Sequence, residues 1–157
     1  MSELTQLVVF RLDEKRYGLR LAVVERIVRA VEVTPLPKAP TIVLGVIDFE
    51  GRVLPVLNVR RRFRLPEREI RPADQFLIAR TERHTVVLAV DEAEGVIERS
   101  PTEIVGAAQI MPGLEQIQGV IKLDDGLVSI HDLESFLSLY EARSLDETMR
   151  EEMAHET

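Results

Sequence analysis

Gly45-Val46-Ile47-Asp48-Phe49-Glu50 and Gly119-Val120-Ile121-Lys122-Leu123-Asp124 align without a gap, and the residues after each block align as well. Val53, Leu54, Val56, Asn58 and Val59 fall on Leu127, Val128, Ile130, Asp132 and Leu133 at the same offset. Both blocks read as an apolar strand, a glycine-bearing turn, a second apolar strand and a short polar turn opening a helix. Earlier in the chain, Arg16 to Val23 matches Arg83 to Val90, each ending in Leu-Ala-Val. The ordered blocks predict two similar β lobes in tandem, each with an early and a late hairpin. A unit seen twice argues for a packed pair and against a solenoid, which needs about three or more repeats.

A chain of 157 residues suits one domain or two lobes sharing a core. Its apolar share of 45% is ordinary for a globular protein. No apolar run approaches the roughly 18 residues of a membrane span, and the first residues lack the basic and apolar segments of a signal peptide. Without cysteine there is no disulfide framework, thiol nucleophile or thiolate metal site. The expectation is a soluble cytosolic protein. The net charge of −7 argues against nucleic acid as the main ligand. Charge is uneven, however: Arg52 to Arg71 holds seven arginines against two glutamates, and Glu141 to Thr157 six acidic groups against two arginines. Within the first run, Arg60, Arg61 and Arg62 are expected on a charged surface, with contact to an acidic partner as the functional alternative.

Strands are expected at Leu7 to Leu12, through Tyr17 to Leu19, at Val43 to Phe49 and Arg52 to Leu57, near Gln75 to Ala79, Thr85 to Val90 and Gly95 to Ile97, and at Gln118 to Leu123 and Leu127 to Ile130. Gly51 supplies the positive φ of the Glu50-Gly51 turn. Three prolines between Thr34 and Pro40 predict a stiff extended loop, with Pro101 to Gly113 as its counterpart. Asn58 caps one helical turn reaching Phe63. Leu65 to Asp74 is expected to be the exposed link between lobes. Ser129-Ile130-His131-Asp132 has the capping-box pattern, and Leu133, Phe136, Leu137, Tyr140, Leu145, Met149 and Met153 keep helical spacing. Beyond Ala142 the charge density predicts a helix that frays or docks elsewhere, so residues 5–143 are assigned to the body and 144–157 to a charged helical tail.

Catalytic chemistry needs groups gathered around a reacting atom. His84, His131 and His155 lack partners at metal-ligand spacing. His131 beside Asp132 is better explained as a polar turn than as an acid–base pair, since neighbours on a strand point to opposite faces. No phosphate-binding glycine loop or nucleophile elbow is present. No catalytic residue, metal or cofactor is assigned.

Tyr17-Gly-Leu, Val24-Glu-Arg-Ile27, Val33-Thr-Pro-Leu-Pro37, Gly45-Val-Ile-Asp-Phe-Glu-Gly51, Leu54-Pro-Val-Leu-Asn-Val-Arg60, Val86-Val-Leu-Ala-Val-Asp91, Gly95-Val96 and Gly119-Val-Ile121 together form an ordered set. In that order they resemble the CheW family of chemotaxis coupling proteins, over about residues 5 to 140. The resemblance implies an all-β (mainly β) fold of two tandem five-stranded SH3-like barrels packed together, with a C-terminal helix. It implies a non-enzymatic adaptor, cytoplasmic and recruited to membrane-anchored receptor arrays. Its partners would be the cytoplasmic tip of a methyl-accepting chemoreceptor and the regulatory domain of a CheA-type histidine kinase. Receptor groove and hairpin residues carried over are Val24, Arg26, Ile27, Gly45, Asp48, Glu50, Val86 and Val96. The family's acidic residue falls on Arg26 and its basic residue on Glu50, so the polarity is exchanged here. We expect Arg26 and Glu50 to meet across the groove wall. A divergent paired-barrel scaffold without array function is the alternative reading.

Overall fold

The computed structural model describes residues 4–106, 117–137, 141 and 144–150. Eleven strands appear among them: β1 (Thr5–Leu12), β2 (Lys15–Arg20), β3 (Val24–Arg29), β4 (Val43–Phe49), β5 (Arg52–Leu57), β6 (Gln75–Arg80), β7 (Thr85–Val90), β8 (Glu92–Arg99), β9 (Ile104–Gly106), β10 (Ile117–Leu123) and β11 (Gly126–His131). One helical turn, α1 (Val59–Arg62), follows β5, and three-residue 3-10 turns follow β2 and β8. The strands form two sheets, ordered β8-β1-β2-β11-β10-β9 and β3-β6-β7-β5-β4. We call them the outer and the inner lobe, because the inner one is contiguous in sequence and lies between the two parts of the outer.

The two lobes are present, but each repeat divides itself between them. The first repeat places β1 and β2 in the outer sheet and β3, β4 and β5 in the inner; the second does the reverse, with β6 and β7 inner and β8 to β11 outer. The junction is the same in both lobes: β2 runs parallel to β11, and β7 runs parallel to β5. Each early hairpin therefore joins the late hairpin of the other repeat. Side-chain chemistry explains the exchange. Leu7, Phe76, Ile78 and Val87 point into barrel interiors, whereas Val8, Phe10, Leu12, Leu77, Ala79, Val86, Leu88 and Val90 belong to a third core between the lobes. Strands β1, β6 and β7 are thus apolar on both faces and need cover on both sides, as strands buried twice over do.

Each barrel is closed by the segment that follows an edge strand, β8 in the outer lobe and β3 in the inner. In the outer lobe this segment is β9, which pairs with β10 through Gly119↔Gly106 to Ile121↔Ile104. In the inner lobe it makes one bridge, Thr34↔Val46. Pro35, Pro37 and Pro40 supply no N–H, so this segment does not extend as a ladder. That difference gives six strands in one sheet and five in the other. The repeated glycines sit under these closures. A Cβ on Gly45 would lie 2.2 Å from the Thr34 carbonyl oxygen, and one on Gly119 would lie 2.6 Å from Ile104 Cγ2 and 2.8 Å from the Val105 oxygen.

Several local expectations are refined. Glu50 (φ 51°) and Gly51 (φ 84°) both take positive φ, the signature of a tight hairpin turn. Asn58 caps α1 by accepting from the Arg61 N–H at 3.1 Å. The stretch Leu65 to Asp74 does not link the lobes, since α1 before it and β6 after it both belong to the inner one; the links are Leu21–Val23 and Asp91. Ser129 is on β11 rather than at a cap, and Asp132 caps instead, accepting from the Glu134 N–H at 3.0 Å. Its 3-10 turn, Leu133–Phe136, drops both named residues into the shared core. Leu137 packs against that core, while Tyr140 and Met153 lie outside the described residues. Pro101 to Gly106 is a 3-10 turn plus β9, and residues 107–113 also lie outside the described set. Finally, the helix at 144–150 packs on the body: Leu145 is fully buried in the shared core, and the Thr148 hydroxyl donates to the Ser144 carbonyl at 2.8 Å.

Candidate partner-binding groove

The pairing register places the site residues. On β3, Val24 lies opposite Ala79 and Ile27 opposite Leu77, so both share the face of β6 that looks toward the outer lobe. On β8, Val96 lies opposite Val8 of the shared core, which puts it on the face of the outer sheet turned toward the inner lobe. The two edge strands β3 and β8 thus border the shared core with apolar side chains. Val24 is half-buried, and Ile27 and Val96 are exposed. Between the lobes a groove of about 640 Å³ opens, lined by Arg11, Asp91 and Glu92 on one side and Arg29, Pro72, Ala73 and Gln75 on the other. Arg11 and Glu92 pair at 3.0 Å along its outer-lobe wall.

Arg26 and Glu50 do meet, with Arg26 Nη1 donating to Glu50 Oε1 at 2.8 Å, but not across the groove wall: Arg26 lies opposite Ile78, on the other face of β3 from Ile27. The Arg26 guanidinium also lies over the Phe49 ring, 5.4 Å from its centroid. A second pair, Arg52 to Glu25 at 3.2 Å, runs beside it. Since β3 and β4 are opposite edges of one sheet, both pairs cross the seam that closes the inner barrel. Arg26 and Glu50 are more than half exposed, so the pair is worth only ~0–1 kcal/mol in stability. Its value lies in where it puts charge. Asp48 Oδ1 accepts from the Gly51 N–H at 3.0 Å and shapes the same hairpin tip.

Two assigned residues serve the interior. Val86 is wholly buried in the shared core, and Gly45 is buried beneath the Thr34 backbone. The arginine run also divides. Arg61 is exposed and lies 3.5 Å from Glu67, and Arg62 pairs with Glu141, both half-buried. Arg60 is 7% exposed, contrary to the expected charged surface. Its Nη2 donates to Asp13 at 2.9 Å and to both Asp91 oxygens at 2.8 and 2.9 Å, and its Nη1 to the Pro66 carbonyl at 2.9 Å. Arg68 adds bidentate bonds to Asp74 at 2.8 and 2.9 Å and one to Asp91 at 2.6 Å. Composition could not single out Arg60, because Asp13 and Asp91 are 47 and 31 residues away in sequence.

Electrostatics in this cluster favour the charged forms. Burial pushes the Asp91 carboxyl up, but hydrogen bonds from Arg60 and the Asp13 N–H, with the charges of Arg60 and Arg68, outweigh it and hold Asp91 below the usual carboxylate range. Asp74 behaves alike, its burial overcome by bonds from Arg68 and the Arg71 N–H. Burial, with help from Asp13, pushes the nearby Tyr17 phenol up. Tyr17 stacks on Phe63 with centroids 4.4 Å apart, and Phe63 meets Phe136 edge-on, so α1 is fastened to the shared core. Among the described residues, no three His, Cys, Asp or Glu side chains are grouped to hold a metal ion, and no helix is long and apolar enough to cross a membrane.

Two barrels sharing a core around an interlobe groove define a class of β scaffold, and the comparisons place this chain within it. The CheW-like domain model matches residues 6–141, and the chain belongs to that family. Curated relatives include the chemotaxis protein CheW of Treponema pallidum, 29% identical over 92% of this chain and 88% of the relative. The CheW of Bacillus subtilis is 28% identical over 88% and 90%, and the protein FrzA of Myxococcus xanthus is 28% identical over 85% and 84%. Among solved structures, the scaffolding protein TtCheW of Thermoanaerobacter tengcongensis superposes with a TM-score of 0.79 at 25% identity, covering 88% of this chain and 96% of that one.

Proposed function

We propose that the chain is a non-enzymatic coupling adaptor of a chemosensory pathway. It joins the cytoplasmic tip of a methyl-accepting chemoreceptor to the regulatory domain of a CheA-type histidine kinase, and works in the cytoplasm at membrane-anchored receptor arrays. The observation that carries this reading is the family match over residues 6–141; in support of it, Val24 and Ile27 on β3 and Val96 on β8 lie on sheet faces turned toward the shared core. A receptor helix lays its apolar face between those strands, as amphipathic helices do in grooves. Arg26 and Glu50 at the seam discriminate among receptors by charge placement. Arg61 and Arg62 offer charge to the kinase. The exchanged polarity at Arg26 and Glu50 favours a second reading, a divergent paired-barrel scaffold serving no standard array.

Co-sedimentation with receptor-bearing membranes and pull-down with a CheA regulatory domain test the first reading. Val96→Glu and Ile27→Glu weaken receptor co-sedimentation while melting unchanged. Failure of the parent protein to bind any receptor or kinase domain rejects the adaptor role and leaves the scaffold reading.

A further inference from the structure

Asp13, Asp74 and Asp91 share a position that the proposed function does not use. Each stands one residue beyond an end of a strand buried on both faces: Asp13 after β1, Asp74 before β6 and Asp91 after β7. The shared core holds these strands along their lengths, and at this end buried charge takes over. Arg60 and Arg68, both from the inner lobe, bind all three aspartates between them. The Asp91 carboxylate also accepts from the Asp13 N–H at 2.7 Å, and the Asp91 N–H donates to the Arg11 carbonyl at 3.0 Å. Asp74 in turn anchors the inner-lobe wall, its carbonyl accepting from the Ala30 N–H at 3.0 Å and its carboxylate from the Arg71 N–H at 2.8 Å.

Both walls of the 640 Å³ groove therefore trace back to this cluster. Arg11 and Glu92 hang from Asp91, itself part of that wall, and Pro72, Ala73 and Gln75 lie close to Asp74 in sequence. Neither Arg60 nor Arg68 lines the groove itself. We infer that Arg60 and Arg68 are positioning residues that hold the two groove walls in register from behind. The consequence for partner affinity rests on the adaptor reading; the positioning does not. Removing Arg60 strips the mostly buried Asp91 of one of its two counter-charges, and the rim relaxes to rehydrate it.

The chain has no cysteine of its own, so spin labels at Ala73→Cys and Val96→Cys, one exposed site on each lobe, report the distance between the lobes without a partner present. The parent gives one narrow distance distribution. Arg60→Met broadens it by about twofold, the behaviour of a rim released into more than one arrangement. Asp13→Asn, at a half-exposed carboxylate whose loss leaves the Arg60–Asp91 bonds in place, broadens it less, and Arg60→Lys recovers part of the Arg60→Met effect. Distributions that superimpose on the parent's for both Arg60→Met and Asp13→Asn, in proteins that still melt cooperatively, overturn the inference. Should Arg60→Met not fold, Asp13→Asn alone decides. Absent receptor or kinase binding would sink the adaptor reading and leave this distance measurement standing.

Discussion

The inner and outer lobes solve one closure problem with different materials. Both place a glycine of the repeat, Gly45 or Gly119, directly beneath the closing segment. The outer lobe then seals itself with a paired strand, β9. Its inner counterpart, stiffened by proline, makes a single bridge and lets two ion pairs span the rest of the seam. Among the described residues, Ile47, Leu54, Val56, Phe76, Ile78 and Val87 fill the inner barrel, and Leu7, Ile121 and Ile130 cluster in the outer one. The fold thus insists on backbone proximity at the closure, whereas seam chemistry is free to diverge. That freedom lets the inner seam carry charge at the surface without weakening the barrel.

Adding bulk beneath each closure tests this contrast most severely. Gly45→Val drives a side chain into backbone at 2.2 Å and should remove more than ~4 kcal/mol or prevent folding, as only severe core disruption does. Gly119→Val should cost less, since its nearest backbone atom, the Val105 oxygen, lies at 2.8 Å rather than 2.2 Å and its closest neighbour is the Ile104 side chain. Urea unfolding of both variants checks the order, and equal losses would show that the two closures are equally rigid. Next in size, Phe76→Ala in the inner barrel should cost about 3–5 kcal/mol. Ile121→Ala in the outer one belongs to the milder ~2–5 kcal/mol range, and the same unfolding midpoints compare them.

Acid probes the cluster where the lobes meet. Asp91 and Asp74 have lowered carboxyl pKa values in the folded protein. The stability they contribute is therefore complete above the ordinary carboxylate value of ~3.9 and is lost as pH falls through the lower folded value. Unfolding free energy should drop as pH descends below about 4, and Arg68→Met should flatten that drop. An unchanged pH profile in the variant would mean that other carboxylates carry the acid response. The smallest effect belongs to the seam: Arg26→Glu or Glu50→Arg alone should change stability by ~0–1 kcal/mol, and the double reversal should restore it. A double-mutant cycle reads this coupling directly.

The hairpins were legible because turn glycines and alternating apolar residues are local signals. Gly45, Gly51 and Gly119 mark the turn and the closures, and Asn58 marks its cap. The exchange of hairpins between lobes was not legible, since similarity between Arg16–Val23 and Arg83–Val90 says that two segments are alike and not which sheet each joins. Val86 is assigned to the receptor groove by the resemblance alone, and its burial is illegible for a related reason: an isolated repeat cannot reveal that the second face of its strand meets another lobe. Arg60 sat within a run whose composition matches a solvated surface. Its burial depends on Asp13 and Asp91, which only the tertiary fold brings together. Arg26 and Glu50, by contrast, are paired through the resemblance, which puts opposite charges at those two positions with their polarity exchanged here.

The nesting of one sheet inside the other has a consequence for synthesis. Every strand of the inner lobe has been made once Val90 is reached, whereas the outer sheet waits for His131 to complete it. A nascent chain emerging from the ribosome can therefore assemble its contiguous barrel first, with β1 and β2 held in reserve until their remaining partners arrive.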